Sequence, residues 1–169
     1  MNVLGIIGWS GSGKTTLLTA ILPLLQNSGL RVSTVKHTHH DFDMDRPGKD
    51  SFRHRQAGAH EVLVASGTRW ALLHELEGPE VPLHNLLAKL DPVDLVLVEG
   101  YKSHPFQKLE VHRPLLGKPP IWTDMSDVIA VATDSDLDVG DRTSLPLNRP
   151  DMIALWIMAW ISRKRADRP

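Results

Sequence analysis

The chain has 169 residues, 19 basic and 20 acidic side chains and no cysteine. That length suits a single domain over residues 1–169, with a core that needs neither disulfides nor thiolate-bound metal. Near-neutral charge argues against nucleic-acid or anionic-membrane partners, and the longest apolar run, Met152 to Ile161, is ten residues and too short to span a bilayer. No charged segment precedes Gly8 and Ser10, so the expectation is a cytoplasmic chain without an export signal.

Val3 to Ile7 is a short apolar run suited to a strand buried on both faces. Gly8-Trp9-Ser10-Gly11-Ser12-Gly13-Lys14-Thr15 follows, a complete G-x-x-x-x-G-K-[ST] loop. After it Leu17, Leu18, Ile21, Leu22, Leu24 and Leu25 recur at helical spacing, with Pro23 expected to kink the helix. In a strand, loop and helix of this order, backbone N–H groups converge at the positive end of the helix dipole and cradle phosphate. Gly8, Ser10, Gly11, Ser12, Gly13, Lys14, Thr15 and Thr16 are the candidate nucleotide-binding residues. Lys14 is expected to neutralise the β and γ oxygens, the Thr15 hydroxyl to bind Mg²⁺, and Thr16 to reach the α-phosphate.

Gly29 sits at the expected C′ position, and Leu30 to Val35 reads as a second strand, parallel to the first through a right-handed crossover. Lys36 to Ser51 holds three His, four Asp and three cations in sixteen residues. Ligands in an open parallel sheet bind beyond the carboxyl ends of strands, where this segment starts. His37, His39 and His40 are candidate metal ligands, against the alternative of a solvated loop with balanced charges. The intermediate reading is a switch-like loop that closes over nucleotide or a second substrate, with Lys36 near the phosphates and Asp50 as a direct or indirect Mg²⁺ ligand.

Residues 51–59 read as a short helix with Asp50 or Ser51 as N-cap, its Arg53, His54 and Arg55 facing solvent. Glu61 to Ala65 and Arg69 to Leu76 form a predicted hairpin around Ser66-Gly67-Thr68. Leu83, Leu86, Leu87 and Leu90 stripe a further helix. Leu95 to Glu99 is four apolar β-formers ending in an acid, and Glu99 is the candidate metal-associated and catalytic carboxylate, by binding Mg²⁺ or polarising a water. Asp94 is expected at the opposite edge of the sheet, and Lys102 in the loop near the site. Lys108 to His112 alternates like a strand, and Asp127 to Asp134 is expected to be the last. Asp134 is the candidate for reading guanine, although no Asn-Lys-x-Asp motif is present. Pro150-Asp151 opens the final helix with Asp151 as N-cap, and Trp156 and Trp160 lie one turn apart on it, for the core or for a dimer contact. The predicted fold is α/β, a P-loop NTPase-type mostly parallel sheet flanked by helices, with an additional β-hairpin.

Gly8 to Thr16, Thr34 to His40, Pro47 to Ser51, Ala57 to Ala59, Arg69 to Leu72 and Leu95 to Lys102 together resemble the MobB family, up to about residue 134. The resemblance implies a homodimeric, GTP-binding adapter with Mg²⁺ that is at most a weak GTPase. It further implies work beside MobA, which attaches GMP to molybdopterin, with molybdopterin or its guanine dinucleotide as a further ligand. Slow hydrolysis agrees with the absence of an obvious arginine finger in cis. The alternative is a P-loop kinase acting on a small metabolite, with Lys36, Lys49, Arg53 and Lys102 as its cations; no arginine-rich lid segment supports it.

Overall fold

The computed structural model describes residues 1–38 and 42–166. The chain forms two compact units, Met1–His37 with Asp91–Pro169, and Thr38–Leu90.

In the first unit, strands β1 (Asn2–Ile7), β2 (Val32–Lys36), β5 (Leu95–Glu99), β6 (Lys108–His112), β7 (Val128–Thr133) and β8 (Thr143–Pro146) make one sheet in the order β2-β5-β1-β6-β7-β8. Every pairing is parallel. The expected relation of β1 and β2 therefore holds, with β5 inserted between them. β7 is not the last strand: β8 follows it, a four-residue edge strand in which only Leu145 is buried. Such a short run with proline at its end carries almost no alternation to read.

Helices α1 (Lys14–Asn27) and α4 (Pro150–Ala166) cover one face of the sheet. Leu18, Ile21 and Leu25 share a core with Ile153, Ile157 and Trp160 and with Leu4, Leu97, Leu109 and Ala130 of the strands. Each such side chain, fully buried, contributes about 2 kcal/mol. Trp160 belongs to this core and donates its indole N–H to Gln107 Oε1 at 2.8 Å. α1 ends in a Schellman turn: Gly29 at φ 83° lets its own N–H reach Gln26 O and the Leu30 N–H reach Leu25 O. α4 begins two residues earlier than an Asp151 N-cap implies, because Pro150 occupies its first position, where a missing N–H costs nothing. Arg149 O accepts the first helical bond from Met152, so Asp151 is not the N-cap and instead pairs with the Arg149 guanidinium at 2.7 Å.

The other face carries Ile7, Trp122, Val128, Val131 and Val139. β6 alternates as expected, yet its polar side is also buried. Lys108 is fully buried and donates to His104 O (2.6 Å), Phe106 O (2.9 Å) and Asp127. Glu110, equally buried, accepts the backbone N–H groups of Ile121 and Trp122, and His112 lies edge-on to the Trp122 ring at 5.0 Å. Asp94 closes the amino-terminal edge as expected, accepting from the Arg31 backbone N–H and the Arg165 guanidinium.

The second unit holds α2 (Asp50–Gln56), the antiparallel hairpin β3 (Glu61–Ala65) and β4 (Trp70–His74), and the one-turn α3 (Leu83–Leu87). The hairpin agrees with its expectation, with a second strand shorter than Arg69 to Leu76, and in its turn the Ser66 hydroxyl accepts from the Thr68 and Arg69 N–H groups. Lys49, not Asp50 or Ser51, is the N-cap of α2, and Asp50 is its first helical residue. Arg55 does not face solvent: its side chain is 17% exposed and pairs with Asp43 at 2.9 Å and Glu75 at 3.5 Å. Asp45 accepts the Ser51 hydroxyl at 2.8 Å. Asp43 and Asp45 are thus absorbed by local pairing, while His39, His40 and Asp41 lie outside the described residues.

Lys108 is wholly buried while the Asp127 side chain is 31% exposed, so removing the ammonium chiefly leaves the carbonyls of His104 and Phe106 without their donor. Replacing Lys108 by Met is expected to lower the unfolding free energy by about 3 kcal/mol in urea titrations; a loss below about 0.5 kcal/mol would show that the buried ammonium is not needed.

Candidate functional site

Parallel pairing brings the carboxyl ends of all six strands to one edge, with Lys36 opposite Glu99 and Glu99 opposite Ile6 in register. The loop from Gly8 to Gly13 leaves β1 at that edge. Gly8 has φ 146°, and a Cβ there would lie 2.4 Å from Val111 O, so β6 presses against the loop too closely for any side chain. Gly11 and Gly13 also have positive φ, a conformation that favours glycine. Gly13 is the N-cap of α1 and no side chain caps this end, which leaves its first N–H groups directed into the loop's concavity. Ser12 is buried inside the loop, whereas Ser10 is exposed at its rim and Thr16 on the first turn of α1.

Lys14 donates its ammonium protons to Gly8 O (3.1 Å) and Trp9 O (3.0 Å), arching over the loop. Burial pushes its pKa below the usual lysine value; Glu99 opposes that shift, and the positive charges of Lys102 and Lys36 add to it. Three ammonium groups against one carboxylate make a basin of excess positive charge, and an entering polyphosphate would relieve their repulsion.

Thr15 Oγ1 donates to Glu99 at 3.2 Å, and Lys36 Nζ lies 3.9 Å from Glu99 Oε1. A hydroxyl from the first turn of α1 and a carboxylate from the end of β5 thus meet at one point. One carboxylate with one hydroxyl suits Mg²⁺, which keeps waters and takes phosphate oxygens for its remaining positions. Asp50 belongs to the other unit, is exposed, and lies 4.0 Å from Arg53. Among the described residues no cluster of three or more His, Asp or Glu gathers for a metal. His37 stacks on Tyr101 at 4.3 Å. Tyr101 is the only non-glycine residue with positive φ among those described, and this strained turn after Glu99 is held by the His37 N–H, which donates to Glu99 O.

Several contacts at this edge escaped sequence reading. Lys102 sits over the Trp9 ring at 4.5 Å and Lys118 at 5.9 Å, while the Trp9 indole N–H donates to Pro119 O at 2.7 Å. Arg113, the first residue after β6, donates from Nε to Ser12 O (3.0 Å) and from Nη1 to Asp134 Oδ2 (2.5 Å). The strand-end rule that singled out Lys102 applies equally to Arg113, and would have found it. Asp134 lines an open cavity of about 280 Å³ at the ends of β7 and β8, together with Thr133, Ser135, Ser144, Pro146 and Asn148. Burial lowers the pKa of His112 behind this point, opposed by the Asp134 charge, and burial raises that of Glu110 against its two backbone donors.

The arrangement sets positive charge and free helix N–H groups at the loop, and a hydroxyl and a carboxylate together at Thr15 and Glu99, a donor set compatible with an anion and a divalent cation. No helix among the described residues is long and apolar enough to cross a membrane.

The family model described as molybdopterin guanine dinucleotide synthesis protein B matches residues 3–134. Over 161 residues the chain is 45% identical to a molybdopterin-guanine dinucleotide biosynthesis adapter protein of Haemophilus influenzae, covering 94% of this chain and 89% of that one. The Escherichia coli adapter protein of the same name is 40% identical over 166 residues, with 96% and 94% covered. Among solved structures, a molybdopterin-guanine biosynthesis protein B superposes with a TM-score of 0.74 at 28% identity, covering 94% of this chain and 99% of that one. A MobB homologue from Bacillus stearothermophilus gives 0.72 at 27% identity, with 96% and 99% covered. The family match and the two relatives of 40% identity or more show that the chain belongs to the MobB family.

Proposed function

We propose that this protein is a cytoplasmic, GTP-binding adapter of molybdopterin guanine dinucleotide synthesis, with weak Mg²⁺-dependent GTPase activity, acting beside MobA. The observation that carries the reading is the meeting of Lys14 and Thr15, from the first turn of α1, with Glu99, from the end of β5, at the carboxyl edge of the sheet. The relatives' name, adapter protein in molybdopterin-guanine dinucleotide biosynthesis, supplies the process. Guanine is favoured over adenine because a carboxylate accepts from the N1–H and 2-amino groups of guanine, and Asp134 faces a cavity of ring size. When bound, Mg²⁺ would neutralise charge on the β and γ phosphate oxygens. Lys14 would hold those oxygens, Thr15 would orient the metal's shell, and Glu99 would hold a water by hydrogen bonding.

A homodimer is part of the same reading. The hairpin face bearing Leu63, Leu72 and Trp70 is exposed, Trp70 to 69%, and its aligned cross-strand pairs form an apolar surface suited to a second copy. Sedimentation equilibrium is expected to give a dimer for the native chain and a monomer for Trp70→Glu; a native monomer overturns this part.

The deciding experiment is calorimetric titration with GTP and ATP in Mg²⁺, with hydrolysis followed alone and with MobA and molybdopterin. Preference for GTP with slow turnover supports the adapter. Equal or better ATP binding, with fast turnover only when a small acceptor is supplied, supports a kinase instead. Lys14→Ala is expected to weaken GTP binding at least about 100-fold, since a charge-assisted contact to phosphate is lost; unchanged affinity would sink the loop assignment. Glu99→Gln is expected to keep binding within about threefold yet slow Mg²⁺-dependent hydrolysis about tenfold or more. Unaltered turnover would leave Glu99 only a structural part.

A further inference from the structure

Arg113 ties two ends of the site together. Its Nε–H donates to Ser12 O at 3.0 Å and its Nη1–H to Asp134 Oδ2 at 2.5 Å, so one planar guanidinium bridges the phosphate loop and the acid that lines the cavity. The guanidinium also packs on the backbone of Gly13, where a Cβ would lie 3.6 Å from both Nε and Nη2.

Peptide planarity gives this contact a consequence. In a trans peptide the carbonyl of Ser12 and the N–H of Gly13 point in opposite directions. Fixing Ser12 O toward Arg113 therefore turns the Gly13 N–H away from it, toward the concavity of the loop. Asp134 is held through one oxygen, and among the described residues its Oδ1 accepts no hydrogen bond. Asp134 lines the cavity, and that oxygen keeps acceptor capacity to spare.

We propose that Arg113 is a positioning residue that couples base recognition at Asp134 to the orientation of the Gly13 N–H in the phosphate loop. The base half rests on the guanine reading given above; the phosphate half does not. A rigid fork moves as one body, so a carboxylate drawn into place by a guanine ring steadies the Ser12–Gly13 peptide. The same carboxylate left without a ring donor holds that peptide less firmly. Base identity is thereby felt at the phosphates with no motion of the sheet.

The test measures the affinities of GTP, ITP, ATP and inorganic tripolyphosphate for the native chain, Arg113→Ala, Arg113→Lys, Asp134→Asn and the double variant Arg113→Ala/Asp134→Asn. Thermal melts establish that each is folded. Arg113→Ala is expected to weaken tripolyphosphate binding about tenfold, although that probe carries no base, and to narrow the GTP-over-ATP ratio by a similar factor. Arg113→Lys, a single ammonium that cannot span both partners, should keep the fold and lose most of the ratio. The two single substitutions should be non-additive for GTP and additive for ATP. Tripolyphosphate affinity within twofold of native in both Arg113 variants, or additivity for GTP, overturns the coupling. A native chain with no preference for GTP refutes the guanine reading and the base half with it, and tripolyphosphate affinity then decides the phosphate half alone.

Discussion

Two ionisable side chains on the inward polar face of β6, Lys108 and Glu110, are removed from solvent altogether. A buried charge is tolerated only where hydrogen-bonding partners surround it, and each of these takes its partners from a connecting loop. Lys108 gathers the carbonyls of His104 and Phe106, and Glu110 gathers the N–H groups of Ile121 and Trp122. The loops before and after β6 are shaped by that requirement. One carries Lys102 and the other carries Arg113, Lys118 and Pro119 to the glycine loop.

The glycine loop is accordingly held from outside as well as by its own turn. Trp9 is fastened at its indole nitrogen and faced by lysines, Ser12 is fastened at its carbonyl, and Gly8 abuts Val111 O. Positioned N–H groups stabilise an anion without reorganising when it arrives, which is the property that a phosphate cradle needs. Burial depresses the pKa of Lys14, Glu99 opposes the shift, and the positive charges of Lys102 and Lys36 add to it, which favours arrival of a polyanion.

What could be read from the chain alone was whatever a short window contains. The glycine loop, the apolar run ending at Glu99, and the hairpin about Ser66-Gly67-Thr68 each carry their signal within ten residues or so, and each stands where expected. β8 carried none, since a four-residue edge strand buries a single leucine. Arg55 looked solvent-facing because the acids that enclose it, Asp43 and Glu75, lie on either side of it at tertiary distance. The alternation of β6 was legible, but alternation alone predicts a wet polar face, and only the loops that fold over Lys108 and Glu110 make it dry. Arg113 was missed for a related reason: an arginine that matters through Ser12 and Asp134 belongs to no contiguous motif.

The strand order also has a consequence in time. β1 is the first strand in the chain, yet both of its neighbours, β5 and β6, come after the whole of the Thr38–Leu90 unit. Pairings of such sequence separation form slowly, and on a ribosome the one with β5 cannot be complete until Glu99 has been made, nor the one with β6 until Glu110 has. Through most of its synthesis the glycine loop therefore leaves a strand with open edges and no cradle. On the proposed reading a polyphosphate would recognise only the finished sheet, and its binding energy would add to the stability of that state alone.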